Sequence, residues 1–226
     1  MSSDFQSIIF SIAEMRNHII FISGIDTDAG KSYATGWFAK KLMNEGKTVA
    51  TLKFIQTGQP DGKSIDIDIH RKIMGVVLPE DSEGLTYPQV FNYPASPQLA
   101  ARIDKRDINL DAIDHAIEVL SERYDIVLVE GAGGLMVPIT DDFLTIDYPQ
   151  SRHMPVALVT NGILGSISHT VLSLEVLKNR NIEVSHLLYN TYFDEDEIIV
   201  PDTKEFLKRY IAKHHNSCKW LEIPKL

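Results

Sequence analysis

The stretch "IIFISGIDTDAGKSYATGWFAKKL", Ile19 to Leu42, decides the fold. An apolar run ends at Ser23-Gly24, a short polar loop follows, and Gly30-Lys31-Ser32 precedes apolar residues at helical spacing. Strand, loop and a helix opening on Gly-Lys-Ser are the parts of a phosphate-binding loop. Backbone N–H groups at a helix N-terminus receive phosphate oxygens, Lys31 reaches the outer phosphates, and Ser32 holds Mg2+. Five residues separate Gly24 from Gly30 where the common pattern has four, and Ile25 takes the place of the first glycine. An ordinary Gly-containing turn would also carry Gly-Lys-Ser; the strand before it and the helix after it favour phosphate. Hydrolysis, phosphoryl transfer and ATP-driven ligation stay open on these residues alone.

Outward from this stretch, short apolar runs alternate with helical spacing. The strands are His18–Ser23, Thr48–Ile55, Ile126–Glu130, Val156–Asn161 and Ser185–Asn190. The helices are Lys31–Asn44, Ile65–Met74, Ser96–Asp104, Asn109–Arg123, Ser166–Lys178 and Thr203–His214. Near-continuous apolar strands suit a sheet covered on both faces. The expectation is a doubly wound α/β fold, a mostly parallel sheet with helices on both faces, P-loop NTPase-like. Such sheets bind ligands beyond the carboxyl ends of their strands, and those ends read "SGIDTDAGKS", "KFIQTG", "EGAGG", "NGILGS" and "NTY". No repeat or linker divides the chain, so residues 18–226 are read as one domain and 1–17 as an extension of unknown role, with Met15 an alternative start.

The 226 residues are 44% apolar, enough for a sizeable core, and the net charge is −9. An acidic surface disfavours nucleic acid and anionic membrane as partners. Cys218 is the single cysteine, which excludes an internal disulfide and a multi-cysteine metal site. No apolar run approaches the ~18–20 residues that cross a bilayer, and the leader carries Asp4 without an early Lys or Arg. A cytoplasmic enzyme is expected.

Two further residues belong with the loop. Glu130 ends the strand "YDIVLVE", where a P-loop enzyme completes its Mg2+ shell with a carboxylate; the glycines of the turn after it, with Gly131, Ala132 and Gly133, let a ligand approach bare backbone. Lys53 lies in an apolar strand, where a lysine is costly unless it snorkels or meets a negative partner. A lone strand lysine is more often an edge or snorkelling residue, but near the carboxyl end of the strand after the P-loop helix this one is expected to reach a transferring phosphoryl group. Thr57 and Gly58 follow at the mouth.

Four motifs together resemble the dethiobiotin synthetase family, ATP-dependent ligases that close the ureido ring in biotin synthesis. "GIDTDAGKS" matches G-x-D-T-[DE]-x-G-K-[ST] with its five-residue spacing; "KFIQTG", "YPASPQLAA" and "LVEGAGG" match K-P-x-x-[ST]-G, P-x-S-P-x-x-A and V-E-G-A-G-G. The resemblance implies that 7,8-diaminopelargonate takes up CO2 as a carbamate, which attacks the γ-phosphate of ATP; the second amine then displaces phosphate from the mixed anhydride. It implies phosphate binding by Asp28, Ala29, Gly30, Lys31, Ser32 and Tyr33, and catalysis by Lys31, Lys53 and Thr27. It also implies a Mg2+ shell of Ser32, Asp66 and Glu130. Thr27, Thr57 and Gly133 would face the diamine, and the helix start at Gly165, Ser166 and Ile167 its carboxylate, across a homodimer interface. Asn190 and Pro224 would lie at the adenine.

The sequence departs from the family pattern at Phe54, where proline is usual, at Ser168 in place of asparagine, and at its end, "WLEIPKL". Relatives continue past the Ile-Pro segment to cover the base, so weaker base selectivity is expected. The rival reading is a partitioning-type P-loop ATPase switch. That group carries an extra lysine early in the loop, where this chain has Ile25-Asp26-Thr27.

Overall fold

The computed structural model describes residues 18–225, so the leader 1–17 lies outside the described residues. Among these, six strands form one parallel sheet: β1 (Ile19–Gly24), β2 (Val49–Lys53), β3 (Ile126–Gly134), β4 (Val156–Asn161), β5 (Val184–Asn190) and β6 (Lys219–Ile223), in the order β2-β3-β1-β4-β5-β6. The helices are α1 (Lys31–Asn44), α2 (Ile65–Met74), α3 (Pro79–Glu83), α4 (Pro97–Asp104), α5 (Leu110–Arg123), α6 (Asp147–Ser151), α7 (Ser166–Asn179) and α8 (Ile199–His214).

Side chains alternate across a strand, and the two faces of the sheet carry separate apolar clusters. Ile20 and Ile22 of β1 and Leu128 of β3 pack with Ala34, Phe38 and Ala39 of α1 and Met74 of α2. Phe21, Val127 and Val129 face the other way, with Ile113, Ile117 and Leu120 of α5 and Leu174 and Leu177 of α7. Helices therefore cover both faces, as the apolar strands require.

The sheet differs from the sequence expectation at two places. The segment after Glu130 is not a turn: β3 runs on to Gly134, which pairs with Gly24 across an irregularity in the ladder. Glycines depress strand propensity, but here the ladder resumes at Gly134 after the irregularity. A Cβ at Gly131 would stand 2.9 Å from Phe21 Cζ, so the side-chain-free backbone is what fits against β1. The C-terminal stretch read as a base cover contains the edge strand β6, whose Ile223 pairs with Asn190. Its sequence "KWLEI" is short and charged, the pattern of an edge strand that masks itself.

Candidate active site

Register assembles the site. Lys53, the last residue of β2, pairs with Glu130 of β3, and Glu130 pairs with Ile22 of β1. Residues paired across neighbouring strands point to the same face, so a lysine and a glutamate with 5% and 0% exposure are forced side by side. Lys53 Nζ lies 2.8 Å from Glu130 Oε1 and 2.5 Å from Asp66 Oδ2, and also donates to Gly131 O at 3.2 Å. Ser32 Oγ is 2.8 Å from Asp66 Oδ1 and 2.9 Å from Glu130 Oε1. Asp66 comes from the first turn of α2, which Ser64 caps by accepting the Ile67 amide at 3.2 Å.

The loop before α1 is folded around Lys31. Its Nζ donates to the carbonyls of Asp26 (3.0 Å) and Thr27 (2.9 Å). Gly30 caps α1 at φ +84°, and a Cβ there would meet Asn190 Nδ2 at 2.3 Å; both facts require glycine. Asn190, at the end of β5, donates to Ala29 O (3.3 Å) and accepts from the Tyr192 amide (3.1 Å), so its side chain latches the loop to the sheet. Tyr33 donates to Pro224 O at 3.2 Å, drawing the C-terminal segment to the start of α1.

Thr27, Asp28, Gly30, Lys31, Ser32 and Tyr33 from the loop, Lys53 and Thr57 from β2 and its exit, and Asp66, Glu130, Ala132 and Gly133 line one cavity of about 600 Å3. Gly133, at φ +68°, stands where a Cβ would be 3.8 Å from Thr27 Oγ1. Gly165, Ser166 and Ile167 lie elsewhere, at the start of α7. There Gly165 has φ +98°, the Ser166 amide donates to Ile163 O (2.9 Å), and Ser166 Oγ is buried without a partner among the described residues.

The electrostatics follow from burial and partners. Burial pulls the Lys31 ammonium down to about 8, helped by Lys53 and opposed by Glu130 and Asp66. At Lys53 burial acts the same way, but Glu130 and Asp66 outweigh it and raise the pKa above the usual lysine value. Burial would raise the Glu130 pKa; the charge of Lys53 and the contact with His70 reverse this and hold the carboxyl well below its usual range. Two lysines and two carboxylates thus meet at one end of the sheet.

Sequence reasoning missed several residues here, Ile55 and Ile69 of the cavity wall among them. Phe193, in the turn after β5, and Gln56, after β2, line the same cavity. His70 lies behind it, with Nε2 2.6 Å from Glu130 Oε2. Its one available signal was a spacing of four from Asp66, one helical turn on the same face.

A parallel sheet with Gly-Lys-Ser opening the helix after a central strand, and a carboxylate on the neighbouring strand, defines a P-loop nucleotide-binding α/β protein. The cell division protein FtsY of Thermotoga maritima shares that fold: TM-score 0.53 at 16% identity, over 97% of this chain and 70% of that one. A family model described as an AAA domain matches residues 18–222. The ATP-dependent dethiobiotin synthetase BioD 2 of Pasteurella multocida is 49% identical over 87% of this chain and 92% of its own length. The protein of the same name from Haemophilus influenzae is 51% identical over 80% of this chain and 95% of its own length. The chain belongs to the dethiobiotin synthetase family of ATP-dependent ligases.

Proposed function

We propose that the chain converts 7,8-diaminopelargonate, CO2 and ATP to dethiobiotin, ADP and phosphate. The observation that carries this reading is the pair of buried ammonium groups, Lys31 and Lys53, lining one cavity with Thr27 and a cluster of hydroxyl and carboxylate oxygens. A site built only to bind nucleotide needs one lysine on the phosphates. The second answers charge that develops as the terminal phosphoryl group moves.

In this reading one amine of the diamine adds to CO2 and forms a carbamate. A carbamate oxygen attacks the γ-phosphorus, the bond to the β-phosphate oxygen breaks, and ADP leaves. The second amine then attacks the carbonyl carbon of the mixed anhydride and gives up a proton; the bond from that carbon to the bridging oxygen breaks, phosphate leaves with that oxygen, and the ring closes. The loop of Asp28 to Tyr33 holds the phosphates, and Lys31 and Lys53 neutralise them. Thr27, Thr57 and Gly133 hold the amine and carbamate end. Thr27 also lines an adjoining cavity of about 350 Å3 walled by Leu135, Met136, Leu172 and Val176, suited to the alkyl chain. Because the second amine sits in the same molecule, positioning and exclusion of water supply most of the catalysis.

Ser32 Oγ, Asp66 Oδ1 and Glu130 Oε1 form an all-oxygen donor set. No group of three His, Cys, Asp or Glu side chains that could hold a metal occurs among the described residues. The set fits Mg2+, which binds through one or two carboxylates and completes its shell with water and phosphate oxygens. When bound, the ion neutralises phosphate charge.

The substrate carboxylate falls to Gly165, Ser166 and Ile167, where the α7 N-terminus favours an anion and the buried Ser166 hydroxyl lacks a partner among the described residues. Leu164 and Leu172 are 82% and 62% exposed, with Ile163 and Met136 also uncovered. That apolar surface supports a homodimer completing the site across its interface. Asn190 and Pro224 border the adenine. No described helix is long and apolar enough to cross a membrane, and the reading is of a cytoplasmic enzyme.

An ADP-release assay with and without diaminopelargonate and bicarbonate tests this. Turnover should be small until both are present. Steady hydrolysis indifferent to the diamine would favour a nucleotide switch.

A further inference from the structure

His70 has no exposed surface, and both of its ring nitrogens are engaged. It sits one turn after Asp66 on α2, and its Nε2 meets Glu130 Oε2 at 2.6 Å. The opposite nitrogen, Nδ1, lies 3.0 Å from Thr51 Oγ1. Thr51 precedes Lys53 by two residues on β2, so both project to the same face of the sheet.

The proton on Nε2 follows from its partner, since the ionised Glu130 carboxylate only accepts, and the far end of this chain of contacts agrees with it. Arg71 Nη1 donates to Thr51 Oγ1 at 2.8 Å, and Arg71 is fixed by two bonds to Asp81, Nε to Oδ2 and Nη2 to Oδ1, both 2.8 Å. A guanidinium only donates, so Thr51 Oγ1 is the acceptor in that contact and keeps its own proton to give. His70 Nδ1, 3.0 Å away, is an acceptor within its reach. Nε2 then carries the ring proton and donates to Glu130.

We propose that His70 is a positioning residue for the metal-binding carboxylate: its Nε2–H anchors Glu130 Oε2 and so presents Oε1 to Ser32 and Lys53. The inference rests on the reading of Glu130 as a magnesium ligand given above. Among the described residues, Asp66 and Glu130 are otherwise oriented by side chains that line the cavity, Ser32 and Lys53. Those must shift when a phosphate and its cation enter, and His70, held from behind by Thr51, need not. An arginine or lysine in its place would hold the carboxylate and also cancel charge the cation needs; an imidazole N–H donates from a ring that the Thr51 contact keeps in one orientation.

The test compares His70→Asn with His70→Gln in the full chain. The asparagine amide reaches the Nδ1 position and keeps Thr51 as a neighbour; the glutamine amide reaches the Nε2 position and can still donate to Glu130. Mn2+ binding is read by electron paramagnetic resonance in the presence of a non-hydrolysable ATP analogue, beside the Mg2+ activation curve and the KM for diaminopelargonate. Groups that orient metal ligands are worth ~10- to 100-fold in metal affinity, so His70→Asn should weaken Mn2+ at least ~10-fold and His70→Gln by less than ~3-fold. The diamine KM should be unchanged in both. Equal losses in the two variants, or none in either, would overturn the proposal.

Should both variants fail to fold, imidazole 15N spectra of the unaltered protein read the tautomer directly. A protonated Nε2 with a bare Nδ1 is expected, and the opposite arrangement overturns the assignment. Failure of the unaltered protein to make product would instead strike the functional reading, leaving the Mn2+ comparison to decide the role of His70.

Discussion

Replacing Lys53 with methionine removes the one ammonium group wedged between Asp66 and Glu130, and both structure and chemistry should register it. Methionine keeps most of the buried stem, so packing in β2 changes little. Two carboxylates are left facing each other, one with no exposed surface. Breaking a buried pair by deleting one partner costs about 3–5 kcal/mol, and a domain of this size loses about 2–4 °C per kcal/mol, so the melting temperature should fall about 6–20 °C near neutral pH. The sign of the pH dependence is fixed by the shifts. In the parent, the lowered Glu130 pKa contributes stability that is present above the unfolded carboxyl range and lost as pH falls through the folded value; the raised Lys53 pKa contributes stability lost only as pH rises through it. Without Lys53, burial dominates and pushes Glu130 up, so acidification from about pH 7.5 to about pH 5.5 should return part of the loss. Catalysis should fall by about 10²–10³-fold, the cost of deleting one group aimed at developing charge. Melting curves across pH and single-turnover product formation measure both. A variant that melts with the parent at neutral pH, or turns over within ~10-fold of it, would refute the reasoning.

Two more predictions concern the loop. Because the Lys31 ammonium is held down to about 8, an incoming polyphosphate should raise its pKa and draw in a proton. Calorimetry near pH 8.5, in buffers of different ionisation enthalpy, should therefore show proton uptake on nucleotide binding (about half a proton or more), absent in Lys31→Met; no buffer dependence would contradict this. Gly30→Ala places a side chain at φ +84° and 2.3 Å from Asn190 Nδ2. The backbone part alone costs about 1–2 kcal/mol. Pairing it with Asn190→Ser should recover the steric part only, visible as non-additivity in melting temperature; a Gly30→Ala protein as stable as its parent would show that the loop takes another shape.

The sheet was largely legible because its signals are local. β1 and β4 are apolar runs bounded by loop residues, and α1, α2 and α5 follow helical spacing between clear caps such as Ser64 and Asn109. β6 escaped because an edge strand of five residues, two of them charged, has no such signature; it is held by tertiary contacts, Trp220 stacked on Tyr189 at 5.2 Å and Glu222 meeting Lys204 and Lys208 at 3.0 Å. The glycines after Glu130 misled in the opposite direction, since propensity reads them as a turn while β3 runs on through an irregularity, with Gly133 at φ +68°, to the pair between Gly134 and Gly24. In the site, Lys31 and Ser32 could be read from the helix start after β1, Lys53 from the end of β2, and Glu130 from the end of the apolar run that opens β3. The contact between Lys53 and Glu130 could not, because it depends on register between residues 77 apart in the chain. His70 carries a single weak local mark, its spacing of four from Asp66, and burial against Glu130 is what reveals it.

Transfer of 18O from labelled bicarbonate measures the chemistry most directly. In the reaction drawn here, one carbon dioxide oxygen stays in the ureido carbonyl and the other leaves on phosphorus. Rapid-quench mass spectrometry should therefore find one labelled oxygen in the phosphate released per ring closed, in the presence of diaminopelargonate and MgATP. Phosphate that takes its new oxygen from water instead would mean that Lys31 and Lys53 face ATP hydrolysis and that no carbamate oxygen reaches the γ-phosphorus.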